Sequence, residues 1–344
     1  MATGGRRDDA TLREGLGRWV AAHPELVPGA RDAGGPPPLI AALAHAQGGM
    51  ANETVLVDFG PAHPGMVVRL PPLEPTFPDY DLGPQAIVQN AVAASGVPAP
   101  APAVVVTDPD FVGSPFLAMP RVHGDIPGPA PVFDPYVREA APEIQRRMHD
   151  GLLDTLAAIH AVPWEARDLD TALPGVGLRD ALDRWTAYVD WSSQGDPLPA
   201  LATALEWCGD RLPPERAAVL LWGDVRLGNL VFDPERRVKA VLDWDLASLG
   251  PPAMDLGWHC GLEFMMGSLF GRHVPGFPDR AGSLEHYERA SGRAVRDDEL
   301  EWHEVFALVR ALAINDRHQR ITGAAPRRAN PMGAVLLERL EAAG

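Results

Sequence analysis

The residues of this chain best suited to chemistry lie in one run, Trp222-Gly223-Asp224-Val225-Arg226-Leu227-Gly228-Asn229, followed by Asp243-Trp244-Asp245. An aspartate, an asparagine five residues on and a second aspartate beyond a short β-hairpin are the parts that phosphoryl transfer needs. Moving a γ-phosphoryl group is mostly positioning and charge neutralisation, so magnesium must bridge the phosphates. A cation that hard takes oxygen ligands, which the Asp243 carboxylate and the Asn229 amide would supply. Asp224 would then reach the acceptor hydroxyl and take or orient its proton. Asn229 and Asp243 stand 14 residues apart, and a hairpin over 230–232 and 238–242 returns them to one edge. Arg226 follows Asp224 by two, and alternate residues of an extended segment point the same way. It either offsets charge on the transferring group or pairs with Asp243, Asp245 or Asp255 and braces the loop.

These residues need elements to hold them. Leu12, Leu16, Trp19 and Val20 recur at helical spacing after a polar start over the first ten residues, which reads as frayed. Residues 39–46 read as a second short helix. The β-branched run 54–59 predicts a strand, 66–70 returns as its partner after Gly-Pro turns, and 103–106 and 116–119 predict two more. A helix suits 86–94. From about residue 125 the pattern turns helical: Leu152, Leu153, Leu156 and Ile159 form one apolar stripe, further helices fit 182–191 and 199–212, and Asp298 with Glu301 would cap a long one through Arg320. The result is an α+β chain with a small antiparallel-sheet lobe, residues 1–121, and a larger helical lobe, residues 122–344.

Composition narrows the function. The 344 residues hold 34 Gly and 36 Pro, about one fifth of the chain, which stays below the level of low-complexity disorder. Thirty basic against 46 acidic residues give a formal charge of −16, unsuited to nucleic acid or anionic membranes. No apolar run is long enough to span a membrane, and no secretory signal opens the chain, so a cytoplasmic location is expected. Cys208 and Cys260 are too few for a disulfide framework or a structural zinc site, and His259 beside Cys260 reads as packing. The only lysine is Lys239, so any other cationic role falls to arginine.

The motif run resembles the aminoglycoside phosphotransferase and choline-kinase-like branch of the protein-kinase fold. The resemblance covers about residues 48–260. It is carried most closely by Leu220-Leu221-Trp222-Gly223-Asp224, Val241-Leu242-Asp243-Trp244 and Leu249-Gly250-Pro251 leading to Asp255-Leu256. It is similar to actinobacterial phosphotransferases and to the kinase-like domains fused to acyl-CoA dehydrogenases. The resemblance implies a bilobal kinase-like fold that moves the γ-phosphoryl group of ATP, with GTP as the alternative, to a small-molecule hydroxyl. It implies Asp224 as the base, Asn229 and Asp243 as magnesium ligands, and Asp255 as a brace for the loops. Trp222 stands where the family carries a scaffold histidine and replaces it as packing.

In the first lobe, Arg69 takes the place of the nucleotide-binding lysine, and Gln85 that of its glutamate partner, orienting Arg69 without an ion pair. Gly48, Gly49 and Asn52 fall where the phosphate-covering loop belongs. Met119 would border the adenine, with Pro120 offering a carbonyl and Val122 an amide. A nucleotide-binding pseudokinase with a regulatory role is the alternative, motivated by Trp222, Arg69 and Gln85. The acceptor is expected against the helical lobe. Acidic candidates there are Glu263, Glu285 and Glu288, and apolar ones Trp258, Phe264, Met265, Met266 and Phe270.

Overall fold

A computed structural model of the chain describes residues 6–28, 37–46, 52–61, 63–175, 177–323 and 330–344. The chain parts into two compact units, Met1–Ala93 with Pro100–His123, and Ala94–Ala99 with Gly124–Gly344.

The first unit contains α1 (Asp9–Ala22), β1 (Ala42–His45), β2 (Glu53–Asp58), β3 (Met66–Leu70), α2 (Gly83–Ala94), β4 (Val104–Val106) and β5 (Phe116–Pro120). Its strands form one antiparallel sheet in the order β1-β2-β3-β5-β4. The period of two in β3 decides which side each residue serves. Met66, Val68 and Leu70 are buried with Val55, Val57 and Phe116 in a core that α1 completes through Leu12, Leu16, Trp19 and Val20. Trp19 meets Phe116 edge-on, ring centroids 5.4 Å apart. Val67 faces the other way, into a second cluster of Leu82, Ala86, Leu117 and Met119, and Arg69 shares its side.

Two expectations fail here. Residues 39–46 are not a helix: Ala42–His45 is the edge strand β1. An octamer rich in alanine is too short to hold a helix alone, whereas the free edge of β2 offers it a full ladder of hydrogen bonds. His45 then seats its ring on Asp9 at 2.8 Å. The start of the chain is not frayed through residue 10 either. Asp8 caps α1 by accepting from the Thr11 amide, and Arg7 reaches Glu53 at 2.6 Å, Pro71 O at 2.8 Å and Ser114 Oγ at 3.1 Å.

The second unit contains α3 (Pro135–Arg138), α4 (Pro142–His160), α5 (Leu178–Ser193), α6 (Pro199–Asp210), β6 (Val219–Leu221), β7 (Leu230–Phe232), β8 (Val238–Val241), β9 (Ser248–Gly250), α7 (Ala253–Phe270), α8 (Arg280–Ser291), α9 (Asp297–Thr322) and α10 (Pro331–Ala342). The strands make two antiparallel pairs, β6 with β9 and β7 with β8. Segment 94–99 belongs to this unit because the Val241 amide donates to the Pro98 carbonyl at 2.8 Å. Helices α7 and α9 press backbone to backbone: a Cβ on Gly257 would lie 2.5 Å from the His303 Cβ, and one on Gly261 3.2 Å from the Glu304 carbonyl. The box of Asp298 and Glu301 does not form. Helix α9 begins at Asp297, so Asp298 already lies inside the first turn, where it pairs with Arg296 and complements the helix dipole. Among the described residues no helix is long and apolar enough to cross a membrane.

Candidate active site

The loop after β6 is held by one buried carboxylate. Asp255, in the first turn of α7 and 1% exposed, accepts from the Trp222 amide at 2.8 Å (Oδ2) and the Gly223 amide at 2.9 Å (Oδ1). His160, at the end of α4, approaches Oδ2 through Nε2 at 3.1 Å, and its Nδ1 lies 2.7 Å from the Tyr287 hydroxyl. With its Nε2 proton given to the carboxylate and the Tyr287 proton taken on Nδ1, Tyr287, His160 and Asp255 run in one donor direction, and the two backbone amides meet the same carboxylate from the other side. Gly223 has φ of +90°, and a Cβ there would sit 2.1 Å from the Leu246 carbonyl. Only glycine can take this turn against the 246 backbone.

This turn delivers Asp224. Its Oδ2 accepts from Arg226 Nε at 2.8 Å and Asn229 Nδ2 at 2.7 Å, and its Oδ1 accepts from Trp258 Nε1 at 2.9 Å. A carboxylate accepts about four hydrogen bonds, so one position remains. Arg226 therefore pairs with Asp224 itself rather than with Asp243, Asp245 or Asp255. Burial works against its charge, but the Asp224 pair and the field of Asp243 outweigh this and hold the guanidinium above its usual value. Its Nη1 and Nη2 donate to no protein group among the described residues.

The hairpin closes as its spacing predicts. Leu230 pairs with Val241, and the Leu242 amide donates to the Asn229 carbonyl at 2.8 Å, so Asn229 and Asp243 leave the same end of the ladder. Trp222, fully buried, is more than packing: its Nε1 donates to the Leu242 carbonyl at 2.9 Å and ties the two loops together. Asp243 has φ of +62°, in the left-handed region that few residues other than glycine, asparagine and aspartate enter. Both hydrogen bonds of the Asn229 amide group are donated by Nδ2, to the Asp224 carbonyl and carboxylate, leaving Oδ1 for a cation. Among the described residues no three His, Cys, Asp or Glu side chains form a metal cage. One carboxylate and one amide oxygen fit a magnesium ion that phosphate oxygens help to hold.

Two residues near Asp224 had no distinct role in the sequence. Trp258, read there as apolar lining, donates to the Asp224 carboxylate. Arg310, on α9 and 3% exposed, lies over the Trp258 ring at 4.6 Å, with Phe306 at 5.5 Å and Trp185 at 5.8 Å. Among the described residues it makes no ion pair, and its Nε is buried without a partner. Burial pulls it down to about 10, opposed by Asp255 and Asp224. Of the other acceptor candidates, Glu285 and Glu288 lie on the exposed side of α8, Glu285 pairing with Arg289 at 2.8 Å. Glu263 on α7 is pushed up by burial to about 7. Phe270 is exposed and meets Phe133 edge-on at 4.8 Å. The thiol of Cys260 is pushed up by burial, as befits a packing residue.

In the first unit, Arg69 Nη1 donates to Gln85 Oε1 at 3.2 Å. Met119 is buried on β5 against Gln89, whose Nε2 lies 3.4 Å from its sulfur. Pro120 ends that strand opposite Met66, Val122 follows in the loop, and Asn52 is buried just before β2. Gly48 and Gly49 lie outside the described residues.

Residues 43–299 match the family model described as the phosphotransferase enzyme family. Acyl-CoA dehydrogenase family member 10 of Mus musculus is 30% identical over 185 residues, covering 53% of this chain and 17% of that protein. Family member 11 of Gallus gallus is 29% identical over 225 residues, covering 64% and 28%. The alignments thus span under a third of these relatives. Among solved structures, a candidate aminoglycoside phosphotransferase from Ralstonia eutropha JMP134 superposes with a TM-score of 0.68 at 24% identity, covering 98% of this chain and 99% of that one. An ethanolamine kinase from Plasmodium vivax gives 0.55 at 12%, covering 88% and 81%. An ADP-bound aminoglycoside phosphotransferase gives 0.55 at 12%, covering 97% of each. These likenesses establish the bilobal, kinase-like α+β fold.

Proposed function

The chain belongs to the phosphotransferase enzyme family, and from that premise we propose that it moves the γ-phosphoryl group of ATP to a hydroxyl of a small molecule. The observation that carries this reading is the Asp224 carboxylate, fixed by three donors with one acceptor position left over. That position suits an incoming hydroxyl proton, which Asp224 orients and then accepts as the oxygen attacks phosphorus. Arg226, anchored on Asp224 through Nε, has two terminal nitrogens to offer the transferring group as its charge develops. Asn229 Oδ1 and Asp243 would hold magnesium, which when bound neutralises phosphate charge. Arg69, oriented by Gln85, would take the nucleotide phosphates, and the strand end at Met119, Pro120 and Val122 the base. Proteins of the same fold are bound to ADP in one solved structure and to GDP in another, which supports a purine nucleotide as donor and puts ATP and GTP side by side in the test.

The test is transfer of labelled phosphate from Mg-ATP, with Mg-GTP in parallel, to a library of alcohols and to water. Asp224→Ala should keep nucleotide affinity and lose turnover by roughly 10²–10⁴-fold. Asp243→Ala should lose magnesium-dependent nucleotide binding in calorimetry. The neutral Gln85 beside Arg69 is the feature that favours a nucleotide-binding regulatory protein instead. Binding without turnover on any acceptor or water decides for it.

A further inference from the structure

A buried cation without an anionic partner costs stability, and chains keep one where its charge is used. Arg310 is such a cation. It sits among the indoles of Trp258 and Trp185 and the ring of Phe306, and among the described residues no carboxylate touches it. The ring nearest to it, Trp258, donates its Nε1–H to Asp224. Arg310 and the Asp224 carboxylate thus meet the same indole, one over its face and the other at its N–H. The close approach of α7 and α9 at Gly257 and Gly261 brings an α9 residue into this position.

A guanidinium on the face of an indole draws electron density from the ring and makes its N–H a stronger donor. The contact also fixes the ring plane, and with it the direction of the N–H. We infer that Arg310, acting through the face of Trp258, is a positioning residue for the Asp224 carboxylate. This rests on the reading of Asp224 as the catalytic carboxylate. Arg310 itself touches neither substrate nor nucleotide in this scheme. Trp258 is the group that holds Oδ1 in place, so that the remaining acceptor position keeps one direction.

The experiment compares Trp258→Phe, Arg310→Met, Arg310→Lys and the double variant Trp258→Phe/Arg310→Met in the full chain. The readout is phosphate release from Mg-ATP with water as acceptor. Losing the indole donor to a charged acceptor should slow kcat about tenfold in Trp258→Phe. Arg310→Met should slow kcat to a similar extent with KM for ATP within about twofold, and Arg310→Lys should recover most of the rate. The double variant should be no more than about twofold slower than the slower single variant, since both act through one hydrogen bond. Losses that multiply to about a hundredfold overturn the inference, as does an Arg310→Met that melts lower but turns over normally.

Should Arg310→Met fail to fold, the indole N–H resonance of Trp258, identified by its loss in Trp258→Phe, gives a reading without turnover. It should move in both Asp224→Asn and Arg310→Gln and stay near its wild-type position in Arg310→Lys. A resonance that responds to Asp224→Asn and ignores Arg310→Gln overturns the inference. The two readings fail separately. Turnover that survives Asp224→Asn sinks the proposed function, whereas turnover that needs Asp224 but shows independent Trp258 and Arg310 effects sinks only this inference.

Discussion

Replacing Asp255 with asparagine keeps the side chain's shape while removing its charge and one acceptor. Its Oδ2 accepts two donors, the Trp222 amide and His160 Nε2, and Oδ1 accepts one, the Gly223 amide. The amide oxygen of the variant keeps the most bonds by taking the Oδ2 position, which turns its NH₂ toward the Gly223 N–H, donor against donor. A buried backbone donor left unsatisfied costs roughly 1–3 kcal/mol. The two surviving bonds lose their charge assistance at about 1 kcal/mol each. The total is about 3–5 kcal/mol. A cooperative unit of about 150–250 residues loses about 2–4 °C of Tm per kcal/mol, so the melt should fall by about 6–20 °C. Calorimetry measures this, and hydrogen exchange should show the Gly223 amide losing protection. Gly223 immediately precedes Asp224, so turnover should fall as well. A variant melting within about 2 °C of the wild type, with Gly223 still protected, would refute the account of this brace.

Three further outcomes follow from the same geometry. Burial lowers His259 to about 4 and His303 to about 3, and it lowers His149, which shares a 3.1 Å contact with His259, well below the ordinary value. The unfolded chain therefore binds protons that the folded one refuses below about pH 6.5, and each histidine should remove roughly 1.4 kcal/mol of stability per pH unit down to its folded value; urea midpoints flat from pH 7.5 to 5.5 would contradict this. Gly223→Ala should cost several degrees of Tm and most of the activity, whereas Gly17→Ala, in the interior of α1 with open space around its Cβ, should stabilise by about 0.5–1 kcal/mol, both read by thermal melts. Arg69→Met should weaken ATP affinity at least about tenfold in calorimetry while Tm moves little; unchanged affinity would remove Arg69 from the nucleotide site.

What the sequence made legible was local. The β-branched run 54–59 and its return over 66–70 announced two strands, and the strand-forming residues between Asn229 and Asp243 announced the hairpin that brings them to one end of a ladder. Residues 39–46 were misread because a short apolar run takes its state from whichever edge is free beside it. Trp258 and Arg310 stand 34 and 86 residues beyond Asp224, and in their own neighbourhoods they look like an apolar helix residue and a helix-surface cation. Their link to the carboxylate exists only once α7 and α9 are packed. His160 was hidden in the same way, since nothing in the last turn of α4 points to Asp255, 95 residues on. The one available signal was a debt of hydrogen bonds: a buried aspartate bracing a loop needs donors, and a buried histidine is a natural one.

The allocation of 94–99 to the second unit has a consequence for anyone recombining this chain with a relative. The polypeptide crosses the border between units after Ala93, after Ala99 and after His123, so a single breakpoint near 123 exports a piece of the second unit with the first. What that piece supplies is a main-chain carbonyl, Pro98 O, to the amide of Val241. A carbonyl is indifferent to side-chain identity and sensitive to length. Chimeras should therefore tolerate foreign residues across 94–99 but not an insertion or deletion there, because a shifted loop would strip the acceptor from the strand that ends two residues before Asp243.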